Sequence, residues 1–136
     1  MTHAANPEAV ERYRVEPYVM AADVYTAPGH HGSGGWTWYT GSAGWMYQLL
    51  VGTLLGLRIT ADRLSFAPLL RPGWSEYRVH YRYRNTFYHC RVVRAGEGTG
   101  VRRVMVDGHD QPDRCVHLVD DGGDHGVEVE AGSGAS

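Results

Sequence analysis

The stretch YRVHYRYRNTFYHCRV, residues 77–92, decides the fold of the second half of this chain. Apolar residues alternate with polar ones over residues 77–83 and again over 88–92, and a period of two residues is typical of half-buried β-strands. Shorter β-rich runs follow at Val104-Val106, Val116-Leu118 and Val127-Val129, with turn residues such as Asp107-Gly108 between them. Short, evenly spaced strands predict an antiparallel sandwich or a jelly-roll part.

The first residues predict helices instead. Asn6 suits a helix cap and Pro7 the first helical position, so a helix is predicted from Asn6 to Arg14. Pro17 interrupts that helix, because proline disfavours helical backbone in the residue before it. A second helix is then predicted over residues 18–24, through apolar Tyr18 and Val24.

A glycine-rich loop precedes a third predicted helix. Residues 27–35 read APGHHGSGG, with four glycines and a proline, so their backbone forms a loop. Residues 45–57 carry apolar side chains at helical spacing. Either Thr40 or Ser42 would cap this helix, since hydroxyl side chains accept hydrogen bonds from amides of the first turn.

These patterns predict an α+β fold. The helical domain is predicted over residues 1–60 and the antiparallel β-sandwich, jelly-roll-like in character, over residues 61–130. Residues 131–136 are small and polar and are predicted to be a disordered tail.

Composition limits the classes of function. The 136 residues have 43% hydrophobic content, 21% charge and a formal net charge of −2, which gives no electrostatic footprint for nucleic acid. No apolar stretch approaches the roughly 18 residues of a membrane-spanning helix, and the amino terminus lacks an export signal, so a cytoplasmic location is predicted. The two cysteines, Cys90 and Cys115, are too few for a disulfide framework and are expected to be reduced.

The most informative motif is WTWYTGSAGW, residues 36–45. Thr40, Gly41 and Ser42 begin the predicted third helix, where amides without intrahelical partners and the helix dipole favour an anion such as phosphate. The alternative is that Thr40 and Ser42 only cap the helix while the glycines permit close packing.

The tryptophans of this motif also have two interpretations. Trp36, Trp38 and Trp45 could stack on sugar rings, because their flat faces are apolar. They could equally form the protein core, where large aromatic residues contribute much of the burial energy.

Several other residues have chemistry worth testing. Glu16 and Asp23 are seven residues apart, so on a helix they would share a face, although such acids more often orient their neighbours. His30 and His31 invite a catalytic interpretation, but loop histidines are often polar filler. Possible zinc ligands occur on two predicted strands, Cys115 and His117 on one and His89 and Cys90 on the other. They could bind one ion only if these two strands were neighbours, which the sequence does not establish, so no metal site is predicted.

Longer segments resemble a known family. EPYVMAADVY at residues 16–25, the run from His30 to Tyr47 that contains GGWTWYTGSAGWMY, and LLGL at residues 54–57 resemble the end of the (α/α)6 barrel in glycoside hydrolase family 94. This family of phosphorylases includes cyclic β-1,2-glucan synthase and β-1,2-oligoglucan phosphorylase. Residues such as Pro72-x-Trp74 and Val106-Asp107-Gly108 resemble its carboxy-terminal β-sandwich, so the resemblance runs from about Tyr13 to Glu130.

The resemblance implies an activity and some site residues. Family members cleave β-glucosides with inorganic phosphate, invert the anomeric centre and need no other cofactor. It implies that Thr40 and Gly41 bind phosphate and that His30 lies near the mouth of the active site. The helix-terminus argument adds Ser42 to the predicted phosphate site, and the stacking argument adds Trp36 and Trp38 to the predicted sugar contacts. No residue here matches the motif with the family's general acid. Ser33, Gln48 and Gly52 depart from the synthase pattern, where arginine, arginine and glutamate are usual.

Two hypotheses follow for function. The first is a part of a phosphorylase that carries a phosphate half-site but is inactive alone, with β-glucan oligosaccharide and phosphate as ligands. Its partners would be the missing barrel segment or a second copy in a homodimer. The alternative is a non-catalytic carbohydrate-binding or partner-docking module.

Overall fold

The computed structural model describes residues 6–16, 18–96, 98 and 100–132. The chain forms two compact units, Met1–Leu49 and Leu50–Ser136. Helices dominate the regular structure of the first unit, and strands dominate that of the second. This mixture confirms the predicted α+β class.

The first predicted helix is present. α1 spans Pro7–Tyr13, and the Asn6 side chain accepts a hydrogen bond from the Ala9 amide at 2.8 Å. Arg14 ends the helix in a left-handed conformation, with φ 54°, and its amide donates to Val10 O. The cap and the N-terminal proline therefore begin this helix as their sequence predicts.

The second predicted helix is absent from the described residues 18–24. The Ala22 amide donates to Trp36 O at 2.7 Å, and Val24 forms an isolated antiparallel bridge with Gly34. The Tyr25 amide donates to Ser33 O. The prediction was wrong because the backbone groups of this segment pair with the far side of the glycine-rich loop rather than with one another.

The third predicted helix starts earlier and ends earlier than expected. α2 spans Thr40–Gln48 and continues as a π-helical segment, Leu49–Leu54. Leu57 already belongs to a strand. Gly56 makes the change of direction, with φ 69°, and its carbonyl accepts a hydrogen bond from the Ala67 amide at 2.7 Å.

Eight strands form two sheets among the described residues. The smaller sheet has the order β1-β2-β7 and the larger has the order β3-β4-β8-β5-β6. The bounds are β1 Leu57–Thr60, β2 Arg63–Phe66, β3 Glu76–Tyr83, β4 Thr86–Arg94, β5 Val101–Val106, β6 His109–Asp110, β7 Cys115–His117 and β8 Asp124–Ala131. The strands thus begin at Leu57, before the predicted domain boundary after residue 60.

One strand pair departs from the predicted antiparallel arrangement. β4 and β8 run parallel, from Phe87 opposite Asp124 to Arg94 opposite Ala131. All other pairs of neighbouring strands are antiparallel. A parallel pair needs a long crossover connection, and here the chain forms β5, β6 and β7 between the two strands.

Both sheets contribute to one hydrophobic core. Tyr88, Cys90 and Val92 point inward from alternate positions of β4, and all three are buried. The other buried apolar members are Leu57, Leu64, Phe66, Val104, Val116, Leu118, Val127, Val129 and Ala131. The alternation predicted from sequence therefore corresponds to the buried side of the sheet, while a jelly-roll connection stays a prediction.

The predicted disordered tail begins too early. Ala131 is the last residue of β8, and both Ala131 and Gly132 are buried. The Gly132 amide also donates to Gly100 O. Ala131 has a small side chain and Gly132 has none, so both suit close packing here, and residues 133–136 lie outside the described part of the chain.

The imidazole of His125, a residue of β8, lies between two carboxylates from turns of the second unit. His125 Nδ1 lies 2.6 Å from Asp107 Oδ2, and its Nε2 lies 3.1 Å from Asp121 Oδ2. The hydrogen bond to Asp107 raises the pKa of His125, and the neighbouring carboxylates add to the effect. The same contact lowers the pKa of Asp107, and the Gly123 amide is the main cause of the lowered pKa of Asp121.

We expect Gly56→Ala to destabilise the second unit strongly. A Cβ at Gly56 would lie 2.2 Å from the Ala67 carbonyl group, and φ is positive, so strain and overpacking act together. The expected loss is at least about 2 kcal/mol in the free energy of unfolding, measured by urea denaturation. Gly108→Ala is the control, because Gly108 has φ 79° but nothing within 4 Å, and should lose about 1 kcal/mol. Equal losses of stability in the two variants would contradict the role of the close contact between Gly56 and Ala67.

We expect the contribution of His125 to the free energy of unfolding to depend on pH and to be lost in both acidic and alkaline solution. Its pKa is raised in the folded protein, so its contribution is complete below the ordinary value of 6.5 and is lost as pH rises through the raised pKa. The contributions of Asp107 and Asp121 are present above about 3.8 and are lost as pH falls through their lowered pKa values.

The measurement is the difference in unfolding free energy between the unmodified chain and His125→Gln across this pH range. The difference should be largest between about pH 4 and pH 6.5 and should shrink on both sides. His31→Gln, in the exposed glycine-rich loop, serves as the control and should show no such maximum. A difference for His125→Gln that is constant with pH would contradict the assignment.

Candidate functional site

The predicted phosphate residues open helix α2. Thr40, Gly41 and Ser42 are its first three residues, and Tyr39 is its N-cap, without a side-chain cap hydrogen bond. The Ala43 amide donates to Tyr39 O at 3.3 Å and closes the first turn. Amides before that turn have no acceptor within the helix, so they face the space in front of α2.

The capping alternative for Thr40 and Ser42 is wrong. Thr40 lies inside the helix rather than before it, and the Ser42 hydroxyl donates to Ala21 O at 2.8 Å. This bond ties α2 to the segment that follows α1. The Thr40 side chain is exposed at the beginning of the helix, so its hydroxyl and the first amides lie together at one end of α2.

The tryptophans near this helix are not core residues. Trp36, Trp38 and Trp45 are 74%, 70% and 76% exposed. The core interpretation is therefore wrong for these three residues. Trp38 has a positive φ of 61°, which turns the backbone just before α2.

Neighbouring rings orient two of these side chains. The Trp36 ring lies 6.2 Å from the Tyr39 ring, and the Trp38 ring meets Tyr18 edge to face at 6.1 Å. Aromatic pairs at these distances and angles are favourable. The broad faces remain largely exposed, so these side chains can stack against a flat apolar ligand surface.

Asp23 positions the start of the aromatic segment. Its Oδ1 accepts the Trp36 amide at 3.1 Å, and its backbone carbonyl accepts the Gly35 amide at 2.9 Å. Gly35 is required here, because a Cβ would lie 2.1 Å from the Asp23 carboxylate. The structure thus confirms an orienting role for Asp23. Glu16 does not share a helical face with it, because the described residues between them form no helix.

His30 lies in a polar cleft of the same unit. Its ring meets Tyr25 edge to face at 6.3 Å. The cleft is lined by Glu11, Arg12, Arg14, Gly29, His30, His31 and Ser33. The sequence analysis did not predict that the two arginines line this cleft, and the only signal for it was the basic last turn of α1. They reach the loop because Arg12 packs against Gly32, where a Cβ would lie 2.6 Å from Arg12 Cδ.

The four possible zinc ligands are not brought together. Cys90 and His89 point to opposite faces of β4, and burial raises the pKa of the Cys90 thiol to about 12. Cys115 and His117 belong to the other sheet, where His117 Nε2 lies 2.9 Å from Asp113 Oδ2. Among the described residues, no group of three or more His, Cys, Asp or Glu side chains could hold a metal ion.

None of the helices in the described ranges has both the length and the apolar character needed to cross a membrane.

Sequence comparison relates both regions of the chain to glycosyl hydrolases. Residues 1–56 match the catalytic domain of the glycosyl hydrolase 94 superfamily, and residues 57–107 match the C-terminal domain of glycosyl hydrolase family 65. The first match covers the residues that carry most of the sequence motifs and confirms their resemblance to glycoside hydrolase family 94.

Individual relatives agree with this assignment. The cyclic beta-(1,2)-glucan synthase of Rhizobium meliloti (strain 1021) is 45% identical over 94 residues, which cover 69% of this chain and 3% of that protein. Solabiose phosphorylase of Paenibacillus borealis is 28% identical over 130 residues, 93% of this chain and 16% of that protein. N,N'-diacetylchitobiose phosphorylase of Vibrio furnissii is 30% identical over 99 residues, which cover 72% of this chain and 12% of that protein. The chain thus spans a small part of each relative.

We expect Asp23→Ala to loosen the backbone at Trp36. Loss of the carboxylate removes the hydrogen-bond acceptor of the Trp36 amide. Because that acceptor is charged, its loss should make hydrogen exchange at the Trp36 amide about tenfold faster. Asp23→Asn keeps an acceptor oxygen and should largely preserve protection. The Gly35 amide, bound to the Asp23 backbone, is the internal control. Unchanged exchange at Trp36 in Asp23→Ala would contradict the orienting role.

Proposed function

We propose that this chain contributes a phosphate half-site and a sugar-contact surface to an inverting glycoside phosphorylase or glucan synthase-like enzyme. The observation that carries the proposal is the uncapped beginning of α2 at Thr40-Gly41-Ser42, within the motif that resembles the family's phosphate site. The names of the relatives support a phosphorylase or a synthase as the larger protein. A cytoplasmic location accords with the use of inorganic phosphate as co-substrate and remains a proposal.

The α2 terminus has the chemistry of an anion site. Free amides of the first turn and the positive end of the helix dipole favour phosphate oxygens. The Thr40 hydroxyl is exposed and can donate a further hydrogen bond. Ser42 would act through its amide alone, because its hydroxyl is already bound to Ala21 O.

The proposed sugar contacts lie in the same unit. Trp36 and Trp38 offer exposed aromatic faces that suit the apolar faces of pyranose rings. His30 would donate or accept a hydrogen bond at the cleft. Arg12 and Arg14 supply positive charge there, beside Ser33, which stands where the synthase branch typically has arginine.

The general acid would come from sequence outside this chain. In the family reaction, a carboxylic acid protonates the leaving oxygen while phosphate attacks the anomeric carbon in place of water. Asp23 is held by the Trp36 amide and therefore suits positioning rather than proton donation. The remaining barrel segment, or a second copy of the chain, is the proposed partner that completes the site.

A second candidate function rests on the aromatic exposure alone. Trp36, Trp38, Tyr39, Trp45 and Tyr47 are all more than half exposed in the first unit. Such a band favours a carbohydrate-binding or partner-docking module that performs no catalysis.

The two candidates differ in their response to phosphate. We expect inorganic phosphate to shift the amide resonances of residues 40–42 in NMR spectra, and Thr40→Ala to weaken that shift. Thr53→Ala, an exposed threonine in the π-helical segment, is the matched control. Incubation with β-1,2-gluco-oligosaccharide and phosphate should release no glucose 1-phosphate, because the general acid is missing.

The contradicting outcomes are distinct. Absence of any phosphate-dependent shift at residues 40–42 would refute the half-site. If oligosaccharide then still changes tryptophan fluorescence, and Trp36→Ala abolishes the change while Trp74→Phe does not, the binding-module function is supported instead. Phosphate-dependent release of glucose 1-phosphate by the chain alone would refute the claim that it lacks an acid.

A further inference from the structure

Two histidines face each other across strands β3 and β4. His80 and His89 are direct partners in the antiparallel register, so their side chains leave the sheet on the same face. Their Nδ1 atoms lie 2.6 Å apart, and the ring centroids lie 4.9 Å apart in an edge-to-face arrangement. Both side chains are exposed, so the pair is open to solvent.

Asp124 determines which nitrogen of His89 carries hydrogen. Its Oδ1 lies 3.1 Å from His89 Nε2, and an ionised carboxylate can only accept a hydrogen bond. His89 Nε2 therefore carries the hydrogen, and in the neutral ring Nδ1 presents its lone pair to His80 Nδ1. A carboxylate that orients an imidazole in this way is the usual support of a metal-binding histidine.

We propose that His80 and His89 bind a divalent transition-metal ion through their two Nδ1 atoms, with water in the remaining coordination positions. Imidazole nitrogen suits zinc, nickel and copper ions. A tetrahedral ion with metal–nitrogen distances near 2.0–2.1 Å needs its two nitrogens about 3.3 Å apart. The rings must therefore separate by less than about 1 Å, which exposed side chains achieve by small rotations.

The Phe87 ring lies parallel to the His89 ring, with centroids 6.5 Å apart, on one side of the proposed site, whereas strand β8 presents no side chain beside His89. In the parallel register, His89 lies beside Gly126, which has no side chain. The neighbouring pair Arg78 and Arg91 is held by Glu76 through ion pairs, so part of its positive charge is balanced. Asp124 adds negative charge on the other side.

Metal binding would act on the edge of the larger sheet. β3 is the outermost strand beside β4, and an edge strand is held by hydrogen bonds on one side only. An ion bound by one ligand from each strand would fasten β3 to β4. Because it binds the folded register alone, it would raise the unfolding temperature with metal concentration. This inference is independent of the proposed phosphorolysis.

The test uses zinc chloride with the whole chain and has two readouts. Histidine side-chain nitrogen resonances should shift at His80 and His89, and the unfolding temperature should rise with zinc concentration. His80→Gln and His89→Gln should each weaken binding at least about tenfold, and Asp124→Asn should weaken it about tenfold through loss of orientation. His109→Gln and His31→Gln replace exposed histidines elsewhere and should change neither readout.

Two results would overturn the proposal. One is a zinc-dependent rise in unfolding temperature that persists in His80→Gln and His89→Gln. The other is a set of zinc-induced shifts at His30, His31, His109 or His117 without shifts at His80 and His89. The resonance readout needs no substitution, so the proposal remains testable even if a variant fails to fold.

Discussion

The parallel pairing of β4 with β8 is the constraint on which the second unit depends. The two strands are neighbours over eight residue pairs and occupy the middle of the larger sheet. Tyr88 and Val92 from one strand and Val127 and Val129 from the other are almost completely buried. Removing this pair from the sheet would separate β3 from β5 and open the core to water.

The same pairing organises the polar residues around it. Thr86, at the start of β4, is buried, yet its hydroxyl accepts the amides of Asp121 and Gly122 at 2.9 Å. The Tyr88 hydroxyl accepts the Val119 amide at 2.8 Å. A buried hydroxyl without a partner would be costly, so these bonds hold the chain that leads into β8 against the start of β4.

Opposite faces of β4 have opposite roles because strand side chains alternate. Tyr88, Cys90 and Val92 supply the core, while His89 and Arg91 lie on the solvent side. The hydrophobic pattern that gives the strand its burial therefore also places the His89 imidazole opposite His80. In the first unit, hydrogen bonds from the Trp36 amide to the Asp23 carboxylate and between the backbone groups of residues 22–25 and 33–36 hold the aromatic segment.

By itself, the sequence determined the first helix, the positions of the main strands and the family resemblance. Local rules suffice for these: Asn6 and Pro7 act within one turn, and alternate burial in β4 needs only one face of a sheet to be covered. The tertiary structure decided the rest. Pairing of the Ala22 amide with Trp36 replaced a predicted helix, and the parallel β4–β8 register joins residues that no local pattern relates. Hydrogen-bond partners distant in sequence are chosen by the packing of the whole unit, which is why spacing along the chain could not predict them.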